Sequence, residues 1–244
     1  MKKHPDRQLY VPTKADLYKT IGVAGTTFQI SFDDTAAVMK DLSGKTMLDF
    51  GCGTGRSAQF LLSLGAERVV GVDHDREMIE QAEKLNNPLL QFHYINERIP
   101  YPDNTFDGGL CTHVLIEFSS RQKMESTLGE VYRVLKPEAS FVVVSTNPAS
   151  INHDYVSFYY KKRQEYLKTG DTVTCVLRTD PPLEFHDTYW KEGDYTSALE
   201  QVGFDITELR YPKALTTDGW KAEAEVAPDI VIHAVKKNRG GVSP

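Results

Sequence analysis

The chain reads as an α/β protein built on a mostly parallel sheet with helices on both faces. Short apolar runs alternate with stretches of helical periodicity between residues 45 and 145, the links are short, and most runs stop at a turn-forming residue. Strands that each feed a helix come back parallel, so ligands gather at the strands' carboxyl ends, near the switch in strand order.

Taken in order, residues 45–50 are an apolar run stopped by Gly51: a buried strand. Residues 57–64 place Ala58, Leu61, Leu62 and Leu64 on one side, and Gly65 ends the helix. A second strand, 68–72, is closed by Asp73. Asp75 caps a helix in which Met78, Ile79, Ala82 and Leu85 recur at helical spacing before Asn86-Asn87-Pro88. Residues 89–95 and 106–112 are the third and fourth strands, with a turn at 100–104 and with Gly108 and Gly109 weakening the fourth. From Ser119 or Ser120, Met124, Leu128, Val131 and Leu135 mark the clearest helix, ended at Pro137, and 141–145 is an apolar fifth strand. The texture then changes. Residues 151–169 are rich in Tyr and Lys and read as helical, 172–178 and 183–189 as a hairpin, 194–202 as a helix closed by Gly203, and 204–210 with 229–235 as a final antiparallel pair.

Composition narrows the function. The 244 residues carry a formal charge of −6, a pI near 5.7 and a mean hydropathy of −0.40. A polyanion-binding protein shows a basic excess, so nucleic acid is not the expected partner. No apolar run approaches the ~18 residues of a membrane span, and the N-terminal MKKHPDRQLY lacks the apolar core of a signal peptide. Cys52, Cys111 and Cys175 are odd in number and far apart, which fits a reducing cytoplasm and neither a disulfide framework nor a zinc site.

The chemistry lies between the first strand and first helix, in Asp49-Phe-Gly51-Cys-Gly53-Thr-Gly55-Arg56. Glycines there let a ligand approach the backbone, and three ligand classes use such a loop. A phosphate-binding loop needs Gly-x4-Gly-Lys-Ser/Thr; the only Gly-Lys-Thr, 44–46, precedes the strand, and Met39 stands where the first glycine belongs. A dinucleotide loop needs Gly-x-Gly-x-x-Gly, and Arg56 occupies the third glycine's place. A cationic ligand suits the third class, because Asp49 would repel a pyrophosphate. Asp73, twenty positions beyond Gly53 at the end of the second strand, is placed to accept both hydroxyls of a ribose.

LDFGCGTGR resembles motif I of the class I S-adenosylmethionine-dependent methyltransferases. GVDHDREMI, IPYPDNTFD, THVLIEF and EVYRVLKPEASFVVVSTNP resemble further blocks of the same family, in order over roughly residues 45–148. The chain is thus similar to the small-molecule, ubiquinone/menaquinone-methyltransferase-like type. The resemblance implies a Rossmann-like fold with a seven-stranded, mostly parallel sheet and an antiparallel last strand, S-adenosylmethionine as methyl donor and S-adenosylhomocysteine as product. It implies one domain over 1–236: an N-terminal lid (1–34, with Tyr10, Tyr18 and Phe28), a donor-binding core (35–148), a cap insertion (149–192) and a C-terminal helix with the final strands (193–236); 237–244 is a frayed tail. Implied donor contacts are Tyr18, Asp49, Gly51, Gly53, Gly55 and Asp73, with His74 and Met78 bordering the adenine.

Two departures stand out. YINERIPYP puts Asn96 and Glu97 where a carboxylate is usual, and either is a candidate for the adenine amino group. Glu138-Ala139 replaces two glycines. Thr112 and His113 end the fourth strand beside the donor's sulfur, and alternation lets only one face inward. Tyr155, Phe158, Tyr159, Tyr160, Asp187, Tyr189 and Trp190 either wall a flat substrate or hold the cap to the core. His153 and His186 are the general-base candidates by pKa, and the basic run 161–163 is a solvated face. The expected reaction is methyl transfer to an O or N atom of a small aromatic or heterocyclic metabolite, with no nucleic acid, membrane or metal. The competing classes are an RNA or protein methyltransferase, a NAD-dependent dehydrogenase and a non-catalytic donor-binding protein.

Overall fold

The computed structural model describes residues 12–161 and 165–238. Two helices, α1 (Lys14–Lys19) and α2 (Thr27–Met39), come first. The alternation then runs β1 (Thr46–Phe50), α3 (Arg56–Ser63), β2 (Arg68–Asp73), α4 (Arg76–Glu83), β3 (Leu90–Tyr94), β4 (Phe106–Thr112), α5 (Arg121–Val134) and β5 (Leu135–Thr146). A three-stranded antiparallel sheet follows, formed by β6 (Phe158–Tyr160), β7 (Thr172–Leu177) and β8 (Leu183–Thr188). After α6 (Glu192–Val202), β9 (Phe204–Arg210) and β10 (Asp229–Lys236) complete the main sheet in the order β3-β2-β1-β4-β5-β10-β9. β10 runs antiparallel to both neighbours and the first five strands are parallel. The order reverses at β1, which is flanked by β2 and β4, and there the loops open a crevice.

Local chemistry sets the elements as read. The Asp75 carboxylate caps α4 by accepting from the backbone N–H of Glu77 and Met78, and Ser120 caps α5 through Lys123 N–H. Met124, Leu128 and Val131 on α5 are fully buried, and Gly203 ends α6 at φ 115°.

Two segments differ from expectation. Residues 151–161 form bends and β6, not a helix, because tertiary packing overrides local preference: Tyr155 and Phe158 are buried against Phe28, Phe32 and Cys175. Of the basic run 161–163, residues 162 and 163 lie outside the described residues, as do Tyr10 and most of the 237–244 tail. β5 starts directly at Leu135, with a register irregularity opposite Phe106–Gly108. Within it Glu138 sits at φ 64°, a left-handed conformation, which explains why glycine is common at this turn in the family.

The small sheet is tied to the N-terminal helices by a buried polar knot. Glu223, fully buried, accepts hydrogen bonds from Thr27 Oγ1 (2.6 Å), Val156 N (2.7 Å) and Lys221 N (2.8 Å). Thr27 and Ser157 bond reciprocally through backbone N–H and side-chain oxygen. Together with the aromatic cluster around Phe28, these contacts hold α2 beneath the small sheet and roof the crevice.

Candidate active site

The loop after β1 is built on glycine by necessity. Gly51, Gly53 and Gly55 sit at φ 71°, 51° and 87°, and a Cβ on Gly51 would lie 2.0 Å from Val114 Cγ2. Gly51 N and Cys52 N donate to Val72 O at 2.8 and 3.1 Å, pressing the loop onto the end of β2. There the Asp73 carboxylate accepts from Gly53 N (2.8 Å) and Asp75 N (2.9 Å), so β2, the glycine loop and α4 share one anchor. Burial pushes the Asp73 carboxyl above its ordinary range, opposed by those two N–H groups. Beneath the loop Asp49 is fully buried. Its Oδ2 accepts from Ser57 Oγ at 2.7 Å, its Oδ1 has no partner, and burial pushes it up to about 7.

A cavity open to solvent lies over this loop. Gly51, Gly53, Asp73, His74 and Met78 line one half. Thr112, His113, Thr146 and Asp229 form the floor of the other, at the ends of β4, β5 and β10. Lys14, Tyr18 and Phe28 close the front; Phe158, Tyr160, Phe185 and Asp187 of the small sheet form the roof.

Arg56, which breaks the dinucleotide fingerprint, latches the front. Its Nη2 donates to Tyr18 OH (2.8 Å), its Nη1 to Ile21 O (3.3 Å), and the guanidinium lies 5.0 and 4.7 Å from the Tyr18 and Phe28 ring centres. A hydrogen bond and a partly desolvated cation–π contact are worth about 1–2 kcal/mol together. Arg56→Met is therefore expected to weaken donor binding roughly tenfold in calorimetry with unaltered circular dichroism; unaltered affinity would remove the latch from the account.

Tyr18, Gly51, Gly53, Asp73, His74, Met78 and Thr112 come together around the cavity as the sequence suggested. Others do not. Asp49 lies beneath the loop, and Gly55 packs on Leu85 and Phe92, whose atoms would stand 2.7 and 3.0 Å from a Cβ there. Asn96 and Glu97 are exposed beyond β3 and outside the lining; Asn96 Oδ1 accepts from Tyr94 OH. His153 and His186, the expected bases, need correcting. His186 points outward from β8 because alternation turns Phe185 and Asp187 inward, and its Nδ1 stands 3.2 Å from Thr174 Oγ1. His153 lies outside the lining, against Tyr155.

His113, unlike them, lines the cavity. Thr112 and His113 both line the cavity, because the chain leaves the strand at His113 (φ 57°) and alternation stops. His113 Nε2 stands 3.0 Å from Asp229 Oδ1 on the first residue of β10; Asp229 is 2% exposed and also accepts from Ser31 Oγ. Phe28 meets the imidazole edge-on at 5.6 Å. The Asp229 partnership has no sequence signal, since 116 residues separate the two. Asp187 was legible from period two, which puts it on the Phe185 face of β8.

Burial, with Glu117 adding, pushes the Asp187 carboxyl up to about 7, like Asp49. An unfolded chain releases these protons near pH 4, so between about pH 4 and 7 the folded state holds protons that the unfolded state lacks. Stability from this source is full below that window and lost as pH rises through it. His233, which burial holds below its usual value, works in the opposite sense, mostly below about pH 6.5. Donor-free protein is expected to melt at higher temperature at pH 6.5 than at pH 8, with Asp187→Asn narrowing the gap; a melting point that rises toward pH 8 would contradict this.

Comparison with known proteins gives this geometry a family. Residues 48–143 match the methyltransferase domain family. N-demethylindolmycin N-methyltransferase of Streptomyces griseus is 28% identical over 171 residues, 68% of this chain and 72% of that protein. The ubiquinone/menaquinone biosynthesis C-methyltransferase of Desulfotalea psychrophila is 32% identical over 148 residues, 57% of this chain and 59% of its own. A putative S-adenosylmethionine-dependent methyltransferase structure from Listeria monocytogenes superposes with a TM-score of 0.63 at 19% identity, over 88% of this chain and all of that one. Residues 48–143 thus carry a methyltransferase domain, the named relatives are methyltransferases, and the donor of the matched structure is S-adenosylmethionine. The two named relatives methylate nitrogen and carbon respectively, so the family does not fix the acceptor atom.

The cavity fits that donor. A buried carboxylate with unused lone pairs faces it from β2, the glycine loop presents backbone without side chains, and aromatic and thioether surface flanks both.

Proposed function

We propose that the enzyme methylates an oxygen or nitrogen atom of a small aromatic or heterocyclic metabolite. The observation that carries this reading is the chamber above Thr112 and His113, roofed by the small sheet, fronted by α1 and α2, and walled by Phe28, Phe158, Tyr160 and Phe185. Such a chamber takes a small flat molecule. A chain of net charge −6 offers little to a nucleic acid.

On this reading Asp73 takes the donor's ribose hydroxyls, and Gly51 and Gly53 let its amino-acid end lie against the backbone. His74 and Met78 border the base, and residues 12–39 and 149–192 cover donor and acceptor. The bound donor supplies an activated methyl group. The protein aligns the acceptor with the S–CH3 bond and keeps water out, which supplies ~7–11 kcal/mol. His113, steered by Asp229, receives a proton where the acceptor must lose one. The three buried, unpaired cysteines suit a cytoplasmic setting. No described helix is long and apolar enough to cross a membrane.

The test is transfer of an isotopically labelled methyl group into separated fractions of a cell extract. Label in a small aromatic molecule is expected, whereas label confined to RNA or protein would overturn the reading.

A further inference from the structure

Asp187 lines the cavity, and the proposed reaction leaves it unused. It is 7% exposed, and among the described residues its carboxylate has neither a hydrogen bond nor an ion pair. Buried carboxylates are ordinarily paired, because an unpaired one is strongly disfavoured. The charged groups nearest it are Glu117, His113 and Lys14. Glu117 repels it. His113 is engaged by Asp229, and Lys14 Nζ stands 4.4 Å over the Phe185 ring. Tyr160, Cys175 and Tyr195, which also feel its charge, are neutral groups held so by burial.

Its position differs from that of Asp73. β8 packs on the turn Leu115–Glu117 that follows β4, whereas Asp73 ends β2, on the far side of β1. Asp187 thus belongs to the acceptor half, beside His113, under the faces of Phe158, Tyr160 and Phe185. A carboxylate among aromatic faces is a receptor for a cation. It is a poorer setting for a phenol, whose developing phenolate would meet the carboxylates of Asp187, Glu117 and Asp229.

We propose that the acceptor is a small arylalkyl amine that enters as its ammonium ion and is held by Asp187. This rests on the small-molecule reading above and narrows it to nitrogen. In the reaction the ammonium, held by Asp187, passes one proton to the His113 imidazole, leaving a neutral amine. The nitrogen lone pair forms the N–CH3 bond while the S–CH3 bonding pair stays with sulfur. The product leaves as the methylated ammonium ion, and His113 returns its proton to solvent.

The experiment is calorimetry on protein saturated with S-adenosylhomocysteine, using 2-phenylethylamine and tryptamine against the neutral alcohols 2-phenylethanol and tryptophol. The amines are expected to bind at least tenfold more tightly than their alcohols. Asp187→Asn should remove that preference without changing affinity for the alcohols or for S-adenosylhomocysteine, and Asp187→Glu should retain part of it. Equal or tighter binding of the alcohols, no amine binding at millimolar concentration, or a preference that survives Asp187→Asn would each overturn the proposal. Methyl label recovered in a hydroxylated metabolite would overturn the amine assignment alone; label confined to macromolecules would overturn the small-molecule reading beneath it.

Discussion

Asp73→Ala is expected to raise the dissociation constant for S-adenosylmethionine by at least a hundredfold while leaving the fold intact. Each hydrogen bond from a ribose hydroxyl to a buried carboxylate is worth about 1.5–3 kcal/mol, and two are lost together. The same substitution frees Gly53 N–H and Asp75 N–H, which share that carboxylate at 2.8 and 2.9 Å, so the loop loses its anchor as well as its ligand contact. The fold tolerates the change because a carboxyl whose burial raises its pKa costs the empty protein stability rather than adding to it. Calorimetry with S-adenosylmethionine and circular dichroism on the same sample check both halves. Unchanged affinity would remove Asp73 from the site.

The second large effect is expected at His113. Asparagine tolerates the left-handed conformation found there (φ 57°), so His113→Asn keeps the backbone while deleting the imidazole. A positioned base is worth about 10²–10⁴-fold, and kcat should fall within that range with donor affinity unchanged. Asp229→Asn should cost less, roughly tenfold in kcat with KM for the donor unchanged, because Asp229 acts only by steering the imidazole. A kcat unaffected by His113→Asn would leave Asp187 as the proton acceptor.

The two halves of the site differ in how far the sequence reveals them. The glycine-loop half of the cavity lining was legible because its residues follow the chain: Gly51, Gly53 and Asp73 sit at strand ends, and strand ends are marked by apolar runs stopping at glycine or aspartate. The sheet was legible for the same reason, down to the antiparallel last strand. The acceptor half joins segments far apart in sequence. His113 meets Asp229 across 116 residues, and Thr27 meets Glu223 across 196, with no periodic signal at either partner. The histidines at 153 and 186 attracted attention by residue type, yet alternation on β8 puts Asp187 rather than His186 inside. The segment 151–161 misled because aromatic residues serve a helix or a strand equally, and packing against Phe28 and Phe32 decided for the strand. Asn96 and Glu97, in a segment that departs from the family's pattern, end exposed.

The most direct measurement is a crystal structure of the protein with S-adenosylhomocysteine. The account predicts ribose hydroxyls within hydrogen-bond distance of Asp73, the amino-acid end along Gly51 and Gly53, and the sulfur facing Thr112 and His113 with the aromatic chamber beyond it. A ligand whose ribose lies at Asp187, or whose sulfur faces away from His113, would contradict it.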